Sequence, residues 1–281
     1  MRLGIFAKTF EGSSPADVLG QAAAAGFSAV QYNMACSGLS PMPDHIEENT
    51  ARAVADAAGE ADVAVVALSG TYNMIHPDKA VRDLGEARLK VLAAACRTIG
   101  TRLVTLCTGT RDADDQWRHH PDNASEEAWR DLLVSMERAV EIAEAHDIDL
   151  GVEPELANVV SSAARARQLL AEMGSARLKI VLDPANLFER ETVSRPRALV
   201  AAAIDALGDR MALAHAKDRA ADGSFATAGA GVLDYVHYAR CLGGAGFDGP
   251  VVAHGLLASE APGVARFLRD TFERAGVRIA P

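Results

Sequence analysis

The sequence has few cysteines, and none of them form a pair at metal-binding or redox spacing. Among its 281 residues there are four, Cys36, Cys96, Cys107 and Cys241, and they lie far apart along the chain. A disulfide framework or a zinc knuckle would need thiols at closer and more regular spacing. We therefore predict free, buried thiols in a reducing, cytoplasmic environment.

Long apolar runs and an excess of positive charge are missing as well. No stretch approaches the roughly 20 residues that a membrane helix needs, and the amino terminus lacks the apolar region of a signal peptide. The net charge is −10, whereas proteins that bind a phosphate backbone usually carry a basic face. We predict no membrane and no nucleic-acid partner. A metal ion remains compatible with an acidic chain, because the cation offsets the charge locally.

The sequence also lacks a linker between two domains. Eight short apolar runs alternate with eight helical patterns, and no stretch rich in proline, glycine, serine or one sign of charge interrupts them. The predicted strands begin at Leu3, Phe27, Val63, Leu103, Ile148, Leu178, Met211 and Pro250. Such strict alternation, over a length typical of one α/β barrel, predicts a single (β/α)8 TIM-barrel domain spanning residues 1–281.

Polar side chains directly follow four of the later predicted strands. The segment Met211–Asp218 shows the pattern most clearly, since an apolar run ends in a histidine, a lysine and an aspartate. The side chains at the four strand ends are Glu153, Asp183, His215 and His254. They recur about once per strand–helix–strand unit. Because the carboxyl ends of the strands in a closed barrel share one face, we expect these side chains to converge.

Two carboxylates and two imidazoles supply oxygen and nitrogen ligands without a thiolate. Such a set suits one divalent ion, and the sequence does not discriminate among Mn²⁺, Mg²⁺, Co²⁺, Fe²⁺ and Zn²⁺. Each residue taken alone could equally be an ordinary loop carboxylate or a packed histidine. Their recurrence at strand ends favours a metal site formed by Glu153, Asp183, His215 and His254.

The same residues resemble the sugar phosphate isomerase/epimerase superfamily, which has a xylose-isomerase-like TIM barrel. The motifs are Gly151-Val-Glu-Pro154, Val181-Leu-Asp183, His215-Ala-Lys-Asp218 and Gly249-Pro-Val-Val-Ala-His254, and further likeness in Gly70–Asp78 and Gly244–Pro250 extends over essentially the whole chain. The usual metal ligands of this superfamily are Glu, Asp, His and Glu on four successive later strands. The resemblance therefore implies a metal-dependent enzyme in which Glu153, Asp183 and His215 take the first three ligand positions.

The fourth ligand position departs from the family pattern, because His254 stands where a glutamate is expected. In family epimerases, two metal-bound glutamates on opposite faces of the sugar remove and return the proton beside the carbonyl. A nitrogen that binds the metal has no lone pair left with which to act as a base. In the interpretation we prefer, His254 is a ligand, and Glu153 alone transfers the proton or a hydride shift occurs. In the alternative interpretation, His254 does not bind the metal and acts as the second acid or base.

Two polar loops are candidates for substrate contacts. His76 and Asn73 lie on the loop after the third predicted strand, where a histidine of the superfamily faces the substrate or a metal. The connection Asp112–Ala124 is long and polar. Loops of this length in compact domains are usually functional. We therefore predict that His76 and Asn73 bind the substrate.

Four further substrate-binding candidates lie near the predicted metal ligands. Glu155 and Asn186 come just after two of the ligands and could hold hydroxyl groups. Lys217 and Arg219 could meet an anionic group, although Lys217 could instead pair with Asp218.

The sequence thus predicts a divalent-metal-dependent isomerase or epimerase that acts on a small sugar, sugar derivative or cyclitol, by proton or hydride transfer next to a carbonyl. Two alternatives stay open: a dehydratase or lyase on the same substrates, and a non-catalytic barrel that binds a polyol. Apurinic endonucleases share the barrel, but Asn186 replaces one of their zinc-binding histidines, and no Asp-x-His motif follows His215. Members of the superfamily often form homo-oligomers, so this is possible here.

Overall fold

Eight parallel strands close into a barrel in the computed structural model, which describes residues 1–190 and 194–280. They are β1 (Arg2–Phe6), β2 (Ala29–Tyr32), β3 (Ala64–Ser69), β4 (Leu103–Cys107), β5 (Asp149–Glu153), β6 (Leu178–Leu182), β7 (Met211–Ala216) and β10 (Pro250–Ala253). Neighbours in the chain are neighbours in the barrel, and β1 pairs with β10 to close it. Between β7 and β10, β8 (Asp218–Arg219) and β9 (Phe225–Ala226) form a short antiparallel hairpin. The predicted (β/α)8 TIM barrel is confirmed.

One helix follows each barrel strand. The helices are α1 (Pro15–Ala24), α2 (Glu48–Glu60), α3 (Lys79–Ile99), α4 (Glu126–His146), α5 (Ala163–Met173), α6 (Ser194–Leu207), α7 (Tyr235–Gly244) and α8 (Ala261–Arg274). Local signals set most of their ends: the Asp78 side chain accepts the Ala80 N–H at the start of α3, and Gly100 ends that helix in a left-handed conformation. None of the helices described is long and apolar enough to cross a membrane.

The start of α2 differs from the sequence prediction. The pattern predicts a helix from about Asp44, whereas α2 begins at Glu48. The carboxylate of Asp44 instead accepts from Arg88 Nε on α3 at 2.7 Å. This ion pair joins residues 44 positions apart. The local pattern contains no sign of it, because the pattern records only neighbouring residues.

Alternation along the strands produces two cores and positions the candidate site. Outward-facing residues pack beneath the helices, while Ala67, Leu103, Val181, Leu213 and Val252 form a separate apolar cluster. Because side chains alternate at every residue of a strand, the next position that faces the barrel axis lies two residues further on. On β6, β7 and β10 those positions hold Asp183, His215 and His254. An apolar layer inside the barrel therefore lies directly below a polar layer.

The cysteines belong mainly to the packed interior. Cys36, Cys96 and Cys107 are buried, Cys241 is half-buried, and all four are free thiols. Burial and the nearby carboxylates of Glu153 and Glu155 raise the pKa of Cys107 well above its ordinary value. The thiol of Cys107 is therefore neutral, although its strand ends at the mouth of the barrel.

Candidate metal and substrate site

Three predicted ligands converge at the carboxyl ends of β5, β6 and β7. Glu153, Asp183 and His215 each offer one ligand atom, and these atoms lie within 4.8 Å of one another. His215 Nδ1 is 3.3 Å from Glu153 Oε1 and 3.8 Å from Asp183 Oδ2. The closed barrel thus brings together side chains that are spread over more than sixty positions of the sequence.

The bonding of these atoms fits a divalent cation. Asp183 Oδ2 and His215 Nδ1 are buried and have no hydrogen-bond partner in the part of the chain that the structure describes. The other oxygen of Asp183 accepts the N–H of Ala185 at 2.8 Å. Buried polar atoms in folded proteins are normally satisfied. Oxygen and imidazole donors suit Mn²⁺, Mg²⁺, Co²⁺, Fe²⁺ or Zn²⁺. A cation between Asp183 Oδ2 and His215 Nδ1 would satisfy both of these buried atoms.

The orientation of the His215 ring is fixed from its far side. His215 Nε2 lies 2.9 Å from Gln31 Oε1, and Gln31 Nε2 donates to Thr105 Oγ1 at 3.1 Å. Because an amide oxygen only accepts, Nε2 carries a proton and Nδ1 faces the carboxylates. Sequence reasoning missed Gln31 and Thr105. The sequence feature that could have identified Gln31 was its position as a polar residue inside the short apolar strand β2.

Charge at the site favours a proton on His215 when no metal is bound. Burial opposes the charge of the ring, but the carboxylates of Glu153 and Asp183 outweigh it and raise the pKa of His215 to about 9. Burial also acts against ionised Asp183, yet the neighbouring His215 keeps the pKa of Asp183 below its ordinary value. The proton on Nδ1 therefore lies where a cation would bind.

His254 lies beside this cluster and outside it. Its ring centroid is 5.2 Å from that of His215 and 5.2 Å from that of Phe6. In the described chain, His254 contributes no atom to the group of ligand atoms from Glu153, Asp183 and His215 that lie within 4.8 Å of one another. Burial and the charges of His215 and Lys217 lower the pKa of His254 to about 4. The ring is therefore neutral at physiological pH.

Two substrate candidates, Asn186 and Glu155, adjoin the metal candidates. The side chain of Asp183 caps the short 3-10 helix Pro184–Asn186. Asn186 at the end of this helix donates from Nδ2 to Glu153 Oε1 at 2.9 Å, and its Oδ1 is buried without a partner in the described chain. Burial and the charge of Glu153 raise the pKa of Glu155 to about 7. Asn186 thus holds Glu153 and keeps one free acceptor.

The hairpin of β8 and β9 carries the cationic candidates. The carboxylate of Asp218 accepts four backbone N–H groups, from Arg219, Gly229, Gly231 and Leu233, at 2.8 to 3.1 Å. A Cβ at Gly231 would lie 2.3 Å from the Asp218 carboxylate, so only glycine fits there. Asp218 therefore organises the loop and does not pair with Lys217. The ring of Phe225 lies against both Lys217 and Arg219.

Asn73 and His76 bind the backbone of the neighbouring loop. Asn73 Nδ2 donates to the carbonyl of Thr110 at 2.8 Å, and its Oδ1 accepts the N–H of the same residue at 3.0 Å. His76 Nε2 lies 3.0 Å from the carbonyl of Ala113, and Nδ1 accepts the N–H of Asp78 at 3.0 Å. These side chains join the loops after β3 and β4. A contact between either residue and a substrate remains a prediction.

Two further asparagines, which sequence reasoning missed, extend this connection to the loop after β5. Asn123 Oδ1 accepts the N–H of Arg111 at 2.7 Å, while its Nδ2 donates to the carbonyl of Ala157 at 2.8 Å. Asn158 Oδ1 accepts the N–H of Gly109 at 2.7 Å. Together with Asn73, these side chains cross-link three consecutive loops of the barrel mouth.

The chain belongs to the xylose isomerase-like TIM-barrel family, whose sequence model matches residues 19–271. Among solved structures it is similar to a D-psicose 3-epimerase from Clostridium cellulolyticum, with a TM-score of 0.74 and 16% identity over 97% of this chain and 99% of that one. A 3-keto-D-glucoside 4-epimerase from E. coli gives 0.73 and 16%, over 98% and 99% of the two chains. A probable 3-DHS dehydratase from Bacillus anthracis gives 0.76 and 13%, over 95% and 98%. No curated protein matches the sequence. At these identities the structural likeness shows the fold.

Proposed function

We propose that this protein is a divalent-metal-dependent isomerase or epimerase of a small sugar, sugar derivative or cyclitol. The observation that carries the proposal is the meeting of Glu153, Asp183 and His215, with Asp183 Oδ2 and His215 Nδ1 buried and without a hydrogen bond in the described chain. Membership of the family and the epimerases among the structural neighbours support the same class of reaction.

The proposed chemistry is proton or hydride transfer next to a carbonyl. A bound divalent ion would polarise the carbonyl and the adjacent hydroxyl of the substrate. Glu153 moves a proton at its carboxylate, and Asn186 orients that carboxylate through its 2.9 Å hydrogen bond. We assign His254 to the second proton transfer rather than to metal binding, because it lies outside the group of ligand atoms that Glu153, Asp183 and His215 form. Its neutral ring keeps a lone pair that can accept a proton.

Dehydration of the same substrate class is a second candidate, and Glu155 is the observation that favours it. With a pKa of about 7, caused by burial and by Glu153, this carboxyl group holds a proton part of the time at neutral pH. A group poised in this way can give a proton to a leaving hydroxyl. A probable dehydratase is also among the structural neighbours.

Metal analysis and proton exchange test the proposal together. Purified protein should carry about one divalent ion per chain. Incubation with neutral and acidic ketoses and with cyclitols in D₂O, followed by NMR, should show a new stereoisomer or isomer. Deuterium beside the carbonyl would report proton transfer, and its absence in the product would report a hydride shift.

Glu153→Gln provides the decisive variant. Glutamine keeps an oxygen that accepts from Asn186 and removes the base, so we expect turnover to fall by about 10²- to 10⁴-fold with the fold retained. Glu137→Gln is the matched control, since Glu137 is exposed on α4. A product that has lost water would assign the lyase, and metal-dependent binding without turnover would assign a polyol-binding barrel. Full turnover in Glu153→Gln would refute the proposal.

A further inference from the structure

Lys217 is a buried cation that has no anionic partner. The residue is 7% exposed and stands on the inward-facing side of the chain, two positions after His215. Over residues 1–190 and 194–280, its Nζ makes no hydrogen bond and no ion pair within 4.0 Å. Nζ lies over the ring of Phe225, 3.3 Å from its centroid. A largely buried lysine whose ammonium has no acceptor within the protein keeps its donors for a ligand.

Contacts on several sides hold the Lys217 side chain in place. Its methylene groups lie against Gly255, where a Cβ would come within 3.3 Å of Lys217 Cε. Its backbone carbonyl accepts the hydroxyl of Tyr235 at 2.9 Å. The positive charge of Lys217 limits the rise in the pKa of Glu155 that burial and Glu153 cause, and it contributes to the lowered pKa of His254. The ammonium is therefore fixed at the barrel mouth, close to the proposed reaction site.

The two nearby arginines each bind groups of the protein itself. Arg219 donates from Nε to the carbonyl of Ala185 at 2.9 Å and from Nη1 to that of Gly223 at 2.6 Å. Arg111 lies 2.8 Å from a carboxylate oxygen of Asp131. In the described chain, Lys217 Nζ makes no comparable hydrogen bond or ion pair and contacts the ring of Phe225.

No carboxylate of the described chain neutralises Lys217 directly. A divalent ion would offset the two carboxylates of Glu153 and Asp183, and the carboxylate of Asp218 accepts four backbone N–H groups. None of these groups, nor Glu155, forms an ion pair with Lys217 Nζ within 4.0 Å. An anionic group on a ligand would therefore be the partner that this ammonium lacks.

We propose that the substrate carries a carboxylate and that Lys217 Nζ binds it, which makes this protein specific for a sugar acid or keto acid over the neutral sugar. The inference rests on the proposed function and names its substrate class. A carboxylate fits better than a phosphate ester, because the single ammonium of Lys217 matches one negative charge and leaves a dianion unbalanced.

Two pairs of sugars that differ in one carboxylate provide the test. They are 2-keto-D-gluconate with D-fructose, and D-glucuronate with D-glucose. Calorimetric titration of the metal-loaded wild type should show the acid of at least one pair binding tenfold or more tightly than its neutral partner. D-fructose 6-phosphate serves as the phosphate probe and should bind more weakly than that acid. The wild-type comparison needs no variant to fold.

Lys217→Met then assigns the effect to one side chain. Methionine keeps the length and the packing and removes the charge, so the preference for the acid should fall to less than threefold. Lys90→Met, at an exposed position of α3, is the matched control and should keep the full preference. Circular dichroism and metal content, measured on each sample, show that the variants are folded and loaded.

Three outcomes overturn the inference: equal affinities within both pairs, no detectable binding of either acid, or a preference that survives Lys217→Met. Tighter binding of the phosphate ester overturns the choice of a carboxylate. Metal binding together with turnover of neutral sugars would leave the proposed function standing while this inference fails. Loss of the metal site itself would be a failure of the proposed function.

Discussion

The two sides of the barrel mouth use their polar side chains in different ways. On the loop after β3, Asn73 and His76 give their side-chain donors and acceptors to backbone groups of their own and the neighbouring loop. After β6 and β7, Asp183 and His215 keep buried atoms without a hydrogen bond in the described chain, and Lys217 Nζ lies on the ring of Phe225. Asn73 and His76 thus act as a scaffold, whereas the second group has bonding capacity that a ligand would satisfy.

Two asparagines show that residue type and loop position do not determine this difference. Asn73 and Asn186 both lie on loops at the carboxyl ends of barrel strands, and both were predicted to contact the substrate. The amide of Asn73 is satisfied at both atoms, whereas Asn186 holds Glu153 with one atom and leaves Oδ1 unpaired. Unmet hydrogen-bonding capacity thus separates the two asparagines, and we expect the one that keeps it, Asn186, to bind the ligand.

Among the tests of this comparison, Asn73→Ala is expected to have the largest effect. The change leaves the N–H and carbonyl of Thr110 without their partner, so the free energy of unfolding should fall by about 2–4 kcal/mol. Metal content should be unchanged, because Asn73 contacts none of the three ligands. Urea denaturation of the metal-free protein and metal analysis of the loaded protein measure the two quantities.

Asn186→Ala is the matched control for that experiment. It should destabilise the protein less and lower turnover more, since Asn186 orients Glu153. The distinction between scaffold and site would be wrong if Asn73→Ala kept its stability and lost sugar binding.

The barrel and the convergence of Glu153, Asp183 and His215 were predictable because both are encoded locally. Val181, Leu213 and Val252 face the barrel axis, and the polar residue two positions later on each strand must face the same way. This relation follows from strand periodicity alone. The ends of the helix Lys79–Ile99 are also encoded locally, by Asp78 and Gly100.

Contacts across the barrel were not predictable in this way. Gln31 and His215 are 184 positions apart, and no local pattern connects them. The same holds for the glycine-rich segment after β9. Its course depends on where four backbone N–H groups meet one carboxylate, Asp218. Such long-range contacts depend on how distant parts of the chain meet, which one sequence does not reveal.

Gln31, which contacts the ring of His215, provides a test with a smaller expected effect. Gln31→Met removes the acceptor for His215 Nε2 and should lower metal affinity by about 10- to 100-fold, because the ring then loses its fixed tautomer and orientation. Gln31→Glu keeps an acceptor and should retain most of the affinity. Competition with a chelator of known strength measures both variants. Wild-type affinity in Gln31→Met would show that the ring needs no such support.

The mildest perturbation is a change of pH alone, and the pH dependence of metal binding sharpens the comparison between the two histidine environments. The carboxylates raise the pKa of metal-free His215 to about 9, so at neutral pH a metal must displace the proton on Nδ1. Metal affinity should therefore rise about tenfold per pH unit between pH 6 and 8 and level off above pH 9. One proton should be released per ion, which calorimetry in buffers of different ionisation enthalpy measures.

His76→Gln is the control and should leave the pH dependence of metal affinity unchanged, because the ring nitrogens of His76 contact only the backbone of its own and the neighbouring loop. An affinity independent of pH would mean that His215 Nδ1 carries no proton to displace, and the carboxylates would then not control this ring.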